Sequence, residues 1–448
     1  MTSTPTDSNR AGARPVECDV LVIGGGPAGA TAAALLAGQG RSVALVEREC
    51  HPRFHIGESL LPANLPLLDR LGVRAEVEAI GMPKYGVEFV SPTHDHVSRI
   101  EFSEAWDKSM PYAYQVRRSQ FDEILFRNAE RAGAQGFENT RIRQVDFDAD
   151  GVSATAESAS GALSFRARYV IDASGRDTLL ANKLRSKLKN REHNSSALYA
   201  HFTDVDRLPG KMEGHISIFW FAHGWFWFIP LPGGQTSIGA VCWPYYLKSR
   251  TKPLDEFFAD TIASCPALAQ RLAHAERSTP VQATGNYSYS GTHSTGDRYL
   301  MAGDAFAFVD PVFSSGVFLA MNSAFAAAEL VSTRLDEPAR YAAEAQRYEQ
   351  LMKRGPREFS WFIYRMTNPT MREFFMHPAN PMRVKEAMLS LLAGDIFGKT
   401  PIWPSLYAMK GFYYLFSLRH LPRTVAAWRQ RRINIRDVEL ESGPGVAR

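Results

Sequence analysis

The sequence predicts a mixed α/β (α+β) protein: a domain with a βαβ N-terminus, an inserted antiparallel sheet and a helical C-terminal region. Three observations predict it. Residues 18–47, CDVLVIGGGPAGATAAALLAGQGRSVALVE, read as an apolar strand, a glycine turn, an alanine-rich helix and a second apolar strand ending in an acid. Sequence from about 195 to 285 alternates apolar and polar residues, as in HISIFWFAHGWFWFIP and QTSIGAVCW, which is the period of antiparallel strands. From about 338 the pattern turns helical, with YAAEAQRYEQLMKRGPREFSWFIYRMT leading into an aromatic-rich segment and a basic end.

Composition bounds what such a fold can do. With 448 residues, 45% of them hydrophobic and 22% charged, the chain is globular and long enough for two or more cores. Net charge is +4 and the lysines and arginines are dispersed, so there is no electrostatic case for a nucleic-acid partner. Cys18, Cys50, Cys242 and Cys265 show no C-x-x-C pairing, which suits a reducing cytoplasm and gives no pattern for a metal site. No run approaches the roughly 20 apolar residues of a membrane span, and the first residues lack an apolar targeting core. The expectation is a soluble, cytoplasmic protein with a disordered tail at residues 1–15.

The N-terminal unit carries the first chemistry. Gly24, Gly26 and Gly29 form G-x-G-x-x-G between strand and helix, where missing Cβ atoms let a pyrophosphate reach the helix N-terminus and let the helix lie close to the sheet. Glu47 ends the second strand and can accept hydrogen bonds from a ribose. This is a Rossmann-like dinucleotide site, and glutamate rather than arginine there favours an unphosphorylated ribose, as in FAD or NAD. Two later strands, in YVIDASGR (169–176) and in the run from Tyr299 to Asp304, end in small-residue turns that bring donors and the Asp304 carboxylate beside a cofactor laid across the sheet. In order and spacing these segments resemble the flavoprotein hydroxylase fold. The resemblance implies FAD, with Asp304 on its ribityl chain. It also places Arg118, at a helix start in QVRRSQFDEILFRNAERAGA, near the cofactor; a solvated surface charge is the alternative for that residue.

The next motif is Trp225-x-Trp227-x-Ile229-Pro230. Alternate residues of a strand share a face, so Trp225, Trp227 and Ile229 form one apolar wall, and Pro230 is expected to keep the strand out of the centre of a ladder. Residues 308–316, FVDPVFSSG, follow the Gly-Asp turn and precede a helical run, VFLAMNSAFAAAEL. The Ser315 and Gly316 amides therefore lie near a helix N-terminus, where donors and dipole suit a small anion or, equally, the negative edge of a flavin. W-x-W-x-I-P together with F-x-x-P-x-x-S-x-G (Phe308, Pro311, Ser314, Gly316) resembles the flavin-dependent halogenases over most of residues 18–330.

That resemblance implies an enzyme using FAD as FADH2 supplied by a separate flavin reductase, with oxygen and chloride or bromide giving hypohalous acid. It places the halide at Ser315 and Gly316, and builds the site wall from Trp225, Trp227, Ile229, Pro230, Pro311 and Phe313. Lys84, in GMPKYGVEF, is the implied catalytic residue, presenting an electrophilic halogen to an electron-rich ring. Tryptophan halogenases carry a glutamate directly before S-x-G, where this chain has Phe313. With HIGESLLP at 55–62, the chain looks more like halogenases of phenols, or of pyrrolyl and aromatic acyl groups tethered to an acyl carrier protein. Glu58 in that segment is a candidate for shaping the flavin loop. Two rivals stay open: a same-fold FAD monooxygenase or oxidoreductase acting on an aromatic or polyene substrate without halide, and a non-catalytic FAD-binding partner of a carrier-protein assembly.

The expected organisation is a discontinuous FAD domain (16–90, 110–190, 290–345), a substrate-domain sheet (91–109, 191–289) and a helical cap (346–448). In the cap, Phe412, Tyr413, Tyr414 and Phe416 precede six arginines between Arg419 and Arg436. Such a mixture fits a pocket-closing cap with solvated arginines, an acidic carrier protein, or peripheral contact with an anionic membrane surface.

Overall fold

The computed structural model describes residues 14–285 and 288–436. Residues 1–13 of the expected disordered tail, and the last twelve residues of the expected cap, lie outside the described residues. The first sheet runs Thr295–Gly296, Tyr299–Met301, Gly161–Asp172, Val16–Ile23, Val43–Val46, Gln135–Phe137. Its central strands pair in parallel, Ile23 lying between Asp172 and Val46. The runs VLVI, VALV and YVID have nearly continuous apolar character because both faces of a parallel sheet are covered. Helix Pro27–Gly38 covers one face and packs between helices Gly316–Asp336 and Arg118–Arg131. Its close approach needs Gly29: a Cβ there would stand 1.9 Å from the Gly24 carbonyl oxygen.

The second sheet runs Glu276–Arg277, Ser196–Thr203, Thr236–Cys242, Gly224–Pro230, Ile216–Phe221, Gly86–Val90, Val97–Glu101. Strand Gly86–Val90 therefore belongs to this sheet, and the expected domain crossing at 90 falls several residues too late. Its parallel pairing with Ile216–Phe221 explains why: the partner strand lies far along the chain, outside any local pattern. Residues 244–271, expected as part of the sheet region, form helices Pro244–Lys248, Leu254–Ala263 and Pro266–Arg271. They cover the back of the sheet, where Phe257, Phe258 and Leu268 pack with Phe226 and Phe228.

The expectation for Pro230 is also corrected. Strand Gly224–Pro230 is central, hydrogen-bonded to Ile216–Phe221 on one side and Thr236–Cys242 on the other. Pro230 is its last residue, so the missing N–H costs the ladder little.

Beyond the parallel sheet the chain is helical: Gly316–Asp336, Tyr341–Ile363, Pro369–Met376, Val384–Ala393, Trp403–Arg419 and Leu421–Arg436. Against the expectation that no run is apolar enough, Gly316–Asp336 is long and apolar enough to cross a membrane by length and composition. Most of it is buried against the first sheet's helices, which accounts for its apolar character.

Candidate active site

One cavity of about 820 Å³ runs between the two sheets. Its lining includes Gly24, Gly26, Glu47 and Asp177 from the first sheet's side, Ile216, Trp225, Trp227 and Ile229 from the second sheet, and Arg118, Asp304, Pro311 and Ser314. The size and the mixture of apolar wall with few polar groups suit an extended organic cofactor.

The glycine turn fits such a cofactor by construction. Gly24 has φ +105°, and a Cβ on it would sit 2.3 Å from the Ala173 carbonyl oxygen, so neither conformation nor space admits a side chain. A Cβ on Gly26, by contrast, would meet only Arg53, at 3.5 Å, which leaves the helix N-terminus open toward the cavity. Gly29 does not line the cavity; it seats the helix on the turn.

Glu47 lies at the strand end with its Oε2 accepting from the Gly25 N–H at 2.8 Å and its Oε1 from the Glu49 N–H at 3.0 Å. Arg53 bridges Glu47 and Asp122 at 3.3 and 3.1 Å. Arg118 starts helix Arg118–Arg131 and is buried, gripping both Asp122 oxygens at 2.8 and 3.0 Å and donating to the Ile56 carbonyl at 2.9 Å. It is thus no solvated surface charge. Burial pushes the Asp122 carboxyl up, but Arg118 and Arg53 outweigh that and hold it below the usual range. The network fixes the Ile56–Gly57 loop against the cavity with guanidinium charge beside it.

Asp304 follows strand Tyr299–Met301 and faces the cavity. Burial raises its carboxyl to about 6 against the opposing pull of Arg118 and Arg176. A carboxylate held at that cost, with room in front of it, fits a hydroxyl-bearing ligand that would return hydrogen bonds.

Trp225, Trp227 and Ile229 share the cavity face of their strand, while Phe226 and Phe228 point to the back helices. Trp227 Nε1 donates to Ser237 Oγ at 3.1 Å, and the two indole rings stand 6.2 Å apart. Gly239 on the neighbouring strand makes room for them: a Cβ there would lie 2.1 Å from the Trp227 ring.

Two expected wall residues are placed elsewhere. Pro230 does not line the cavity, and Phe313 turns away from it into the helical cap, its ring 6.2 Å from Phe375 and 6.4 Å from Phe362. The reason is the Pro311–Phe313 turn, which carries Pro311, Val312 and Ser314 on the cavity side and Phe313 inward. Asp310 caps that turn, its Oδ1 accepting from the Val312 N–H at 3.2 Å, and Ser314 takes φ +56° before the helix begins. Ser315 and Gly316 begin the helix Gly316–Asp336 and line a second, small cavity of about 30 Å³, together with Phe308 and Asp304. That is room for one water-sized species.

Lys84 is not in the cavity wall. It is the last residue of strand Met82–Lys84, which pairs with Ala113–Gln115, and its side chain is buried. Its Nζ donates to Ser59 Oγ at 2.9 Å and to the Leu60 carbonyl at 3.0 Å, and Ser59 is what lines the cavity. Burial alone lowers the amine to about 7. Two N–H groups and two acceptors match a neutral amine, which keeps its lone pair.

Sequence reasoning named Glu58, beside Ser59, but missed its partner. Glu58 lines the cavity and its Oε1 lies 2.8 Å from His201 Nε2, while Oε2 is buried without a hydrogen-bond partner among the described residues. The GES segment signalled Glu58; nothing signalled His201, which arrives from strand Ser196–Thr203.

Glycine cradle, strand-end acid, cavity and facing carboxylate together define a dinucleotide-binding flavoprotein site, and residues 17–350 match the FAD binding domain family. Among characterised relatives, a Pseudomonas fluorescens 1H-pyrrole-2-carbonyl-[peptidyl-carrier protein] chlorinase is 31% identical, the match covering 85% of this chain and 89% of that one. A Penicillium aethiopicum flavin-dependent halogenase is 36% identical over 71% of this chain, and the match spans 65% of that relative's length. In three dimensions the myxobacterial chondrochloren halogenase superposes with a TM-score of 0.76 at 32% identity, covering 87% of this chain and 93% of that one. The chain belongs to the flavin-dependent halogenase family.

Proposed function

We propose that the protein is an FAD-dependent halogenase, using reduced FAD from a separate flavin reductase, oxygen, and chloride or bromide to halogenate an electron-rich aromatic substrate. The single observation that carries the catalytic part is Lys84: a buried lysine with no carboxylate partner among the described residues, lowered to about 7, one hydroxyl away from the cavity. A lysine is rarely buried without an ion pair for structural reasons.

The residues present fit FAD. Gly24, Gly26 and Glu47 would hold the pyrophosphate and ribose end, Asp304 the polyol, and Trp225, Trp227 and Ile229 would wall the ring end. When bound, the reduced cofactor supplies the two electrons that, with oxygen and halide, give hypohalous acid. The chain's own part is threefold. Ser315 and Gly316 offer amides beside a cavity sized for one halide. The tryptophan wall excludes water and keeps the organic substrate from the cofactor. Lys84, through its lone pair, displaces hydroxide from hypohalous acid, loses a proton and releases water, leaving an N–halogen bond. An aromatic carbon then takes the halogen, the ring proton leaves, and the amine is restored.

Similarity to a carrier-protein chlorinase, together with Phe313 in place of a glutamate, supports a phenolic or pyrrolic ring, free or carrier-tethered, since activated rings lose the proton readily. The test is turnover of a phenol and pyrrole panel, free and carrier-loaded, with FAD, reductase, oxygen and bromide or chloride, read by mass spectrometry. A halogen isotope pattern that disappears in Lys84→Ala, with FAD binding retained, is the expected result. Products that gain only oxygen would move the assignment to a monooxygenase.

A further inference from the structure

Away from the cavity, three histidines and a glutamate converge from two segments about 280 residues apart in sequence. His94 and His96 sit in the loop between strands Gly86–Val90 and Val97–Glu101; Glu373 and His377 lie one turn apart at the end of helix Pro369–Met376. Ligand atoms of His94, Glu373 and His377 all lie within 4.8 Å of one another. His94 Nε2 is 3.1 Å from Glu373 Oε1, and His377 Nδ1 is 3.3 Å from Glu373 Oε2. Ligands at 2.0–2.2 Å from a tetrahedral zinc ion stand about 3.3 Å apart, so these separations suit donors around one metal.

A further feature suits a cation. His94 Nδ1 lies 2.8 Å from Ser91 Oγ, the outer hydrogen bond that orients a ligating imidazole. When Nδ1 donates there, the neutral ring turns its Nε2 lone pair toward the Glu373 carboxylate, and a cation between the two would be shared by both. The His96 ring stands 4.6 Å from His377, but its Nε2 lies 3.0 Å from the Met376 carbonyl oxygen and its Nδ1 3.3 Å from Asp95 Oδ1, so it packs beside the three donors without joining them. Two imidazoles and one carboxylate form a donor set suited to zinc, with a remaining position for water.

We infer that His94, Glu373 and His377 form a zinc site that straps the edge of the inserted sheet to the helical cap. The strap has a consequence for the core. Helix Pro369–Met376 also carries Phe375, which packs at 4.7 Å on Phe89, 6.4 Å on Trp220 and 6.2 Å on Phe313. A metal at the helix end holds that aromatic layer behind the Pro311–Phe313 turn.

The probe is zinc chloride added to chelator-treated, FAD-loaded protein, followed by calorimetric titration and thermal unfolding. A Cys50→Ser background removes the one exposed thiol as a competing ligand. Expected are one zinc per chain and a rise in Tm, both lost in His94→Ala/His377→Ala, with far-UV circular dichroism and flavin content unchanged. Glu373→Gln, which keeps the side-chain shape, also loses the zinc, and Ser91→Ala weakens it by about tenfold. Equal uptake by the double variant, or uptake without any gain in Tm, overturns the site and leaves a hydrogen-bonded histidine cluster only.

Discussion

Lys84 and Asp304 are two residues whose protonation the fold displaces toward neutral pH. Lys84 is lowered from 10.5 to about 7 by burial. If its amine is the acceptor of the halogen, the rate of halogenation at saturating substrate rises with pH through about 7; an ammonium serving as acid would give the opposite slope. The same shift has a stability cost. A depressed amine loses stability as pH falls from 10.5 toward 7, so Lys84→Met gains on the wild type over that interval while losing product formation, as paired denaturation curves and mass spectrometry can test. For Asp304 the sign reverses. Its carboxyl is raised from 3.8 to about 6, so the apo-protein gains stability as pH falls from about 6 to 3.8. Asp304→Asn should therefore unfold at a higher temperature than the apo wild type at pH 8, converge with it near pH 4, and bind FAD about 10- to 100-fold more weakly, the worth of a hydrogen bond to a charged group. Both residues were legible as types in their motifs. Their environments were not: that Lys84 stands behind Ser59 depends on Met82–Lys84 pairing with Ala113–Gln115, thirty residues on, and no local pattern records that register.

At the level of single elements, the strand Gly224–Pro230 shows what periodicity can and cannot carry. Alternation separated Trp225, Trp227 and Ile229 from Phe226 and Phe228, and the structure puts the first set on the cavity and the second against helices. Pro230 misled because a proline inside a ladder and a proline closing one look alike in sequence. Nor could sequence show that the indole of Trp227 occupies the space left by Gly239. Gly239→Ala places a methyl 2.1 Å from that ring, so the indole must move or the strands must part. Overpacking of this kind costs about 1–3 kcal/mol. The expected variant is folded, with shifted tryptophan emission, FAD binding close to wild type, and product formation reduced far more than flavin affinity because the displaced ring enters the cavity. A variant with unaltered emission and activity would mean the wall tolerates a looser seat than its geometry implies.

The whole molecule ties its last helix to the turn that begins Gly316–Asp336. Arg431, on Leu421–Arg436, lies 5.0 Å over the Tyr364 ring and donates to the Glu192 carbonyl. Tyr364 stacks on His193 at 5.5 Å and 18°; His193 Nε2 lies 3.0 Å from Asp310 Oδ2, which also accepts from Ser195 Oγ at 2.8 Å. The other Asp310 oxygen caps the Pro311–Phe313 turn. Burial lowers the Arg431 guanidinium to about 10, so the cap spends stability to keep a charge at this place. The aromatic and basic tail is thus not merely a solvated end: one of its arginines braces, through three contacts, the turn that presents Ser315 and Gly316. Arg431→Ala should leave FAD affinity unchanged, since Gly24, Glu47 and Asp304 lie outside this chain of contacts, and should raise the halide concentration needed for half-maximal turnover several-fold. Arg429→Ala, on an exposed position of the same helix, serves as the control for lost charge alone. If both variants weaken halide use equally, long-range charge rather than the Tyr364–His193–Asp310 brace governs the turn; if only Arg431→Ala does, the cap is part of the machinery that holds the anion.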